Sequence, residues 1–315
     1  MSEQNTHSLT AIIPTLNAVH CIESLILSLR VQSLPPNEIL IVDSESSDQT
    51  ADIAKRLGVK LIQIGRHEFD HGGTRTFAAR QTDSDFILYL TQDVRIADEH
   101  AVEKLVRPLL HDEHVAAAYG RQLPHDGADL FARTIRSFNY GKDSYRSFNQ
   151  ADMGGGIRKP FISNNFSMYR RVVMDGLGWF GDSKICSEDL FAGARILNAG
   201  YAIEYVAEAE VYHSHNLTTV EYFRRYFDIG VFHSRNRWIQ QRYGSAYREG
   251  GRFVFFELAK ALKERKPSLL LLSLLITTAK YMGHVLGKLH RLLPQTVCIR
   301  LSANPSWWRR RRMLS

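Results

Sequence analysis

Five short apolar runs punctuate the first 120 residues: LTAII (9–13), EILIV (38–42), VKLIQI (59–64), FILYL (86–90) and VAAAY (115–119). Their length and β-branched content mark buried strands. The segments between them follow helical spacing, as in Ile22, Leu25, Ile26 and Leu29, so the predicted unit is strand–helix–strand and the predicted sheet is mainly parallel. From about Gly120 to Pro160 the pattern dissolves into a polar, aromatic-rich stretch read as loops with a short helix. A second set of elements follows: a strand over FISNNFSMY (161–169), a helix over EDLFAGARILNAG (188–200) closed by Gly200, and a strand over YAIEYV (201–206). Thr218 and Glu221 have capping-box spacing and open a helix towards Trp238, with Phe223, Tyr226 and Phe227 on its buried face.

From about Arg252 two or three helices are expected, separated near Pro267 and Pro294. The apolar run Ser268–Ala279 has 12 residues, short of the roughly 20 that span a bilayer. An in-plane membrane helix and an ordinary buried helix both fit it. Arg265, Lys266, Lys280, Lys288 and the closing WWRRRR favour the first. Charge sharpens this division. The net +7 arises entirely from the last 65 residues, where 13 Lys and Arg face two acids; the first 250 residues carry a net −4. Basicity confined to a Leu-rich tail fits an anionic membrane surface and argues against nucleic acid as a partner, as does the absence of a familiar nucleic-acid-binding module. Cys21, Cys186 and Cys298 are odd in number and widely spaced, which points to reduced thiols. MSEQNTHSLT lacks a basic region followed by an apolar run. A cytoplasmic protein, peripheral on the inner face of the cell membrane, is the expectation.

Candidate chemistry begins where parallel strands end, because open α/β sheets bind ligands beyond their carboxyl ends. Asp43 and Asp93 follow EILIV and FILYLTQ, while Glu188 and Asp189 open a helix. Strand one runs into PTLNAV with no glycine, so the dinucleotide turn GxGxxG is missing; no GxxxxGK[ST], GxSxG or HExxH occurs either.

The ordered strings VDSESSD (42–48), GGTRTFAARQTDSDFILYLTQDV (72–94), SEDL (187–190) and VYHSHN (211–216) resemble those of the inverting glycosyltransferases of family 2, over roughly residues 9–240. HGGTR and TQD are most similar to variants of these motifs in bacterial rhamnosyltransferases of O-antigen and exopolysaccharide assembly. The resemblance implies a GT-A type, Rossmann-like α/β fold with a mixed, mainly parallel sheet flanked by helices. The expected domains are 1–245 for the transferase, divided into a nucleotide-sugar half (1–120) and an acceptor half (121–245), and 246–315 for a C-terminal helical, membrane-associating extension.

It also implies roles. Asp43 reads the nucleotide base, with Pro14, Thr15 and Asn17 lining the pocket and Glu45 near a second acid; Arg75 and Gln92 approach the donor. Asp93 is the remaining acid of a DxD motif, Thr91 standing in the place of the first, and it joins His213 as ligand to a divalent metal, Mg or Mn. His215, the next histidine along VYHSHN, is assigned to the other face if the strand continues. Asp189 is the base that deprotonates the acceptor, with Glu188 beside it; dipoles at the helix start are expected to keep both ionised. Asn164, Asn165, Gly154–Gly156 and Trp179 border the acceptor. The implied donor is dTDP-L-rhamnose and the acceptor a polyprenyl-diphosphate-linked glycan. Other family donors (UDP-galactofuranose, UDP-glucose, UDP-N-acetylglucosamine) and a noncatalytic glycan- or nucleotide-binding relative are the alternatives.

Overall fold

The computed structural model of the protein describes residues 7–148, 156–181 and 184–314, without side chains beyond 310. Gly154 and Gly155 lie outside the described residues. The first apolar runs form β1 (Leu9–Thr15), β2 (Glu38–Asp43), β3 (Lys60–Gln63) and β4 (Phe86–Leu90). They pair in parallel in the order β3-β2-β1-β4. Alternate residues face opposite layers: Ile12, Leu40, Val42, Ile87 and Tyr89 enter one core, and Ile13, Ile41, Leu88 and Leu90 the other.

The sheet continues through β5 (Arg95–Ile96), β6 (Val115–Leu123), β7 (Tyr145–Ser147), β8 (Phe166–Arg170) and β9 (Ala202–Tyr212). Beyond β4 the order is β8-β6-β9-β5, with β7 also on β9. β8 is antiparallel to both neighbours, whereas β6 and β9 are parallel. The strand expected over 161–169 is shorter than its apolar pattern. Ser163, Asn164 and Asn165 precede β8, where backbone need not alternate across a sheet.

Helices α1 (Ile22–Arg30), α2 (Thr50–Arg56), α3 (His71–Ala79), α4 (Ala101–His111), α5 (Leu130–Asn139), α6 (Arg171–Leu177) and α7 (Glu188–Asn198) complete the layers. The buried face of α1 is the expected quartet Ile22, Leu25, Ile26 and Leu29. α8 (Thr219–Arg235) carries the capping box, Thr218 accepting from Glu221 N and Glu221 from Thr218 N. Of its three expected core aromatics only Phe227 is fully buried, and Tyr222 is buried in addition.

After α9 (Arg237–Tyr243) come α10 (Ala246–Lys263), α11 (Pro267–Lys288), α12 (Gln295–Leu301) and α13 (Pro305–Leu314). The 12-residue apolar run belongs to a helix of 22 residues, long and apolar enough to cross a membrane by length and composition. Lys280 interrupts the pattern but is itself buried, donating to Glu257 at 3.0 Å, while Ser273 donates to the same carboxylate at 2.9 Å. Glycines let α11 lie against α8. A Cβ at Gly283 would stand 2.3 Å from the Phe223 carbonyl oxygen, and one at Gly287 2.0 Å from that of Phe227. The opposite face exposes Leu271, Leu272, Leu274 and Leu275, with Phe255 and Leu262 of α10 also exposed.

The closing tryptophans, expected at a membrane surface, turn inward. Trp307 and Trp308 are 2% and 6% exposed, and Trp308 packs near Phe227 and His290. Asp228 fixes the preceding turn by accepting from Ser302 Oγ and the backbone amides of Ala303 and Asn304. The tail thereby reaches helix α3. Asn304 Oδ1 lies 3.4 Å from His71 Nε2, and Arg310 meets Asp70 at 3.3 Å.

Candidate active site

Three groups of polar side chains gather at the ends of β1, β2, β4, β6 and β9. At the β2 end Asp43 is fully buried, accepting from Thr15 Oγ1 at 3.0 Å and from the Ser46 amide at 3.0 Å. Asn17, at φ +52°, accepts from Ser47 N, and Glu45, at φ +54°, accepts from Arg66 N. These bonds organise two facing loops, with Pro14 half-buried beside them. Gln92 ties the pair to the β4 end, its amide bracketing the Leu16 peptide at 2.7 and 3.1 Å.

One residue on, Asp93 meets two imidazoles: its Oδ2 is 3.3 Å from His213 Nε2 and 3.2 Å from His215 Nε2. The expected opposition of His213 and His215 does not occur: residues two apart in extended chain lie on the same side, so the period of two itself brings both imidazoles to Asp93. Potential ligand atoms of the three side chains lie within 4.8 Å of one another. Burial would raise the Asp93 carboxyl, but the hydrogen bond with His213 and the charges of the two histidines hold it well below the usual carboxylate range. Burial pushes His213 down to about 4 and lowers His215 too. At neutral pH the trio is a carboxylate with two neutral imidazoles, the protonation states that divalent-metal coordination requires. The residues present therefore fit a metal.

Behind His213 stands a layer of which sequence reasoning named only Asn165, and that as a neighbour of the acceptor; Gln122 and Arg136 it missed. His213 Nδ1 lies 3.1 Å from Gln122 Oε1, 3.0 Å from Asn165 Nδ2 and 3.3 Å from an Arg136 nitrogen. With Nε2–H donating to Asp93, Nδ1 accepts from Asn165 and Arg136; a metal taking the Nε2 lone pair would move the proton to Nδ1, where Gln122 Oε1 is the acceptor at hand. Gln122 and Arg136 sit on β6 and α5; the available signal was that β6, like β4, ends at the ligand edge of the sheet.

The third group is the carboxylate pair. Glu188 is 5% exposed and paired at 3.1 Å with Arg75, itself 4% exposed. Gly72 lies at this junction of α3 and α7, where a Cβ would come to 3.4 Å from Glu188 Cβ and 3.3 Å from Phe180 Cβ. Asn164 is 2% exposed and holds both acids, donating from Nδ2 to Glu188 at 3.1 Å and from its amide to Asp189 at 3.4 Å. Its own Oδ1 accepts from Tyr169 and Ser167. Expected to border an acceptor, Asn164 instead positions the pair from within. Ser187, at φ +57°, precedes the pair in a backbone region that L residues rarely occupy.

The two acids differ. Burial opposes charge on Glu188, but Arg75 overcomes it and holds that carboxyl below its ordinary value. Asp189 is half-buried and is pushed up to about 7, first by burial and next by the charge of Glu188. Uniform ionisation by the helix start was the expectation; unequal access to Arg75 separates the acids. Trp179, also expected beside an acceptor, is 1% exposed, packs on Tyr89 and Phe180 and donates to Asp175.

The chain has relatives among known proteins. Glycosyl transferase family 2 matches residues 10–178, and the chain belongs to that family. It is a glycosyltransferase. It is 42% identical to the O-antigen chain rhamnosyltransferase WbaN of Salmonella anatum over 310 residues, covering 96% of each chain. It is 41% identical to the O-antigen chain rhamnosyltransferase RfbN of Salmonella typhimurium, covering 95% of this chain and 96% of that one. The GT-A fold is shared with a Pyrobaculum calidifontis mannosyltransferase solved with GDP-Man and Mn²⁺, at TM-score 0.60 and 16% identity over 91% and 87% of the two chains. Staphylococcus aureus TarS 1–349 with UDP follows at TM-score 0.54 and 15% identity, over 90% and 92%.

Proposed function

We propose that this glycosyltransferase moves L-rhamnose from dTDP-L-rhamnose to a polyprenyl-diphosphate-linked glycan, inverting the anomeric centre. Near-full-length identity to two O-antigen chain rhamnosyltransferases supports the sugar and the setting. The observation that carries the chemistry is the linkage of Asp93, His213 and His215 to Glu188 and Asp189 through the adjacent residues Asn164 and Asn165.

Asp189 takes the proton of the acceptor hydroxyl as that oxygen attacks from the side opposite the nucleotide. Its raised pKa suits this role, since a base works best when its pKa lies near the working pH. Glu188, held ionised by Arg75, maintains that basicity, and Asn164 fixes the direction of the pair. A metal held by Asp93, His213 and His215 would offset the charge gathering on the departing diphosphate; two imidazoles favour Mn²⁺ over Mg²⁺. Asp43, Asn17, Thr15, Pro14 and Glu45 shape the nucleotide end, and Gln92 joins it to the metal ligands. The exposed leucines of α11, flanked by Arg265 and Lys266, seat the protein in the plane of the inner membrane face.

The test is a donor screen with purified protein. dTDP-L-rhamnose should turn over fastest, with a β-linked donor giving an α-rhamnoside by NMR. Far faster turnover of UDP-galactofuranose, UDP-glucose or UDP-N-acetylglucosamine would overturn the assignment.

A further inference from the structure

We propose that a cleft between α5, the end of β6 and the last turn of α10 seats the diphosphate of the lipid-linked acceptor; this rests on the acceptor assigned above. The cleft has a volume of about 300 Å³ and is lined by Arg121, Gln122, Arg133, Arg136, Tyr140 and Lys260, among others. Small-molecule sites span about 300–1,000 Å³, so it suits a headgroup rather than a whole lipid-linked glycan. Four cations face one lining carboxylate, Glu264. Glu210 occupies Arg121 at 2.7 Å, which leaves Arg133, Arg136 and Lys260 against Glu264, an excess of two positive charges.

Arg136 carries a second mark. Two of its nitrogens are engaged, with Gln122 Oε1 at 2.7 Å and His213 Nδ1 at 3.3 Å, yet its Nε is buried without a hydrogen-bond partner. Buried donors are rarely left so. An anion supplies acceptor oxygens and charge together, and diphosphate is the anion that matches several guanidinium and ammonium groups.

Position separates this anion from that of the donor. The cleft adjoins the Nδ1 edge of His213 through Gln122 and Arg136, whereas Asp93 faces the Nε2 edge. Gln122 Nε2 also donates to Ser163 at 2.8 Å, next to Asn164 and hence to the Asp189 base. On the other side Lys260 and Glu264 belong to the end of α10, beside exposed Leu262 and the turn into the exposed leucines of α11. The cleft thus lies between the reacting groups and the apolar surface, as a diphosphate lies between a glycan and its polyprenyl chain.

The experiment compares a short polyprenyl-diphosphate glycan with the same glycan on a phosphate-free lipid, using the full chain in detergent and its Arg133→Gln/Lys260→Gln variant. Each charge-assisted contact is worth about tenfold in affinity. The double variant should raise KM for the diphosphate acceptor by up to about a hundredfold, bring the KM ratio of the two acceptors towards one, and leave donor KM unchanged. Arg133→Lys should keep most of the preference. A double variant that retains the wild-type preference removes the cleft assignment alone. A rise confined to donor KM assigns the cleft to the nucleotide diphosphate instead. No preference in the wild-type protein sinks the lipid-diphosphate acceptor itself, and the cleft proposal with it.

Discussion

Replacing Arg75 by Met removes one partner of a buried ion pair and leaves the other, Glu188, in a site that is 5% exposed. At the observed 3.1 Å and an effective dielectric of about 20, the lost attraction is about 5 kcal/mol. Glu188 can escape part of this by taking up a proton. The cost of protonating a carboxyl of ordinary pKa 4.5 is about 1.4 kcal/mol per pH unit above that value, hence about 3.5 kcal/mol at pH 7 and under 1 kcal/mol at pH 5. The sign follows from the pair. In the wild-type protein Glu188 has a depressed pKa, so its contribution is present above the unfolded value and disappears as pH falls through the folded one. In the variant the folded-state pKa rises, so stability declines as pH increases. The gap should therefore widen from about 1 kcal/mol at pH 5 to about 3–4 kcal/mol at pH 7, read from urea unfolding at each pH. Arg75→Met/Glu188→Gln, which removes the stranded charge while keeping an acceptor for Asn164, should recover most of the loss at pH 7. A gap independent of pH, or a double variant no more stable than the single one, would refute the reasoning.

Asp189→Asn should lower kcat by about 10²- to 10⁴-fold, the usual worth of a general base, with donor KM little changed. Because burial and Glu188 raise Asp189 to about 7, the wild-type rate should climb as pH rises through that value; a flat profile between pH 5.5 and 8 would remove Asp189 as the base. Gln122→Leu keeps the volume but takes away the acceptor 3.1 Å from His213 Nδ1. Mn²⁺ affinity measured by titration calorimetry should weaken by about 10- to 100-fold, and wild-type affinity in this variant would mean that Gln122 does not orient the ligand.

The parallel strands were readable because a doubly covered strand must be apolar at nearly every position, as FILYL and EILIV are. The same logic placed Asp43 and Asp93 at strand ends. His215 was missed because the period was misapplied: two residues beyond His213 in extended chain, it belongs on the same side and not the opposite one. Gln122 and Arg136 were invisible for another reason. Their partner His213 is 91 and 77 residues away, brought near by strand pairing that no local pattern encodes. α11 was cut short at Lys280 because its neutralising partner, Glu257, lies on a different helix. Trp307 and Trp308 read as amphipathic surface residues for the same reason: the face that buries them is supplied by α8 and His290.

The contact between Asn304 and His71 also imposes an order in time. The two residues are 233 positions apart, and at synthesis rates of about 5–20 residues per second the later one emerges on the order of ten to fifty seconds after the earlier. Throughout that interval α3 exists without the turn and the tryptophans that close over it, so the helix bearing Arg75 waits, partly uncovered, for a brace not yet made. A ribosome stalled between α11 and α13 would hold a chain whose sheet can already form but whose Arg75–Glu188 ion pair is unsupported. Such nascent chains are where aggregation and chaperone capture of this enzyme should concentrate.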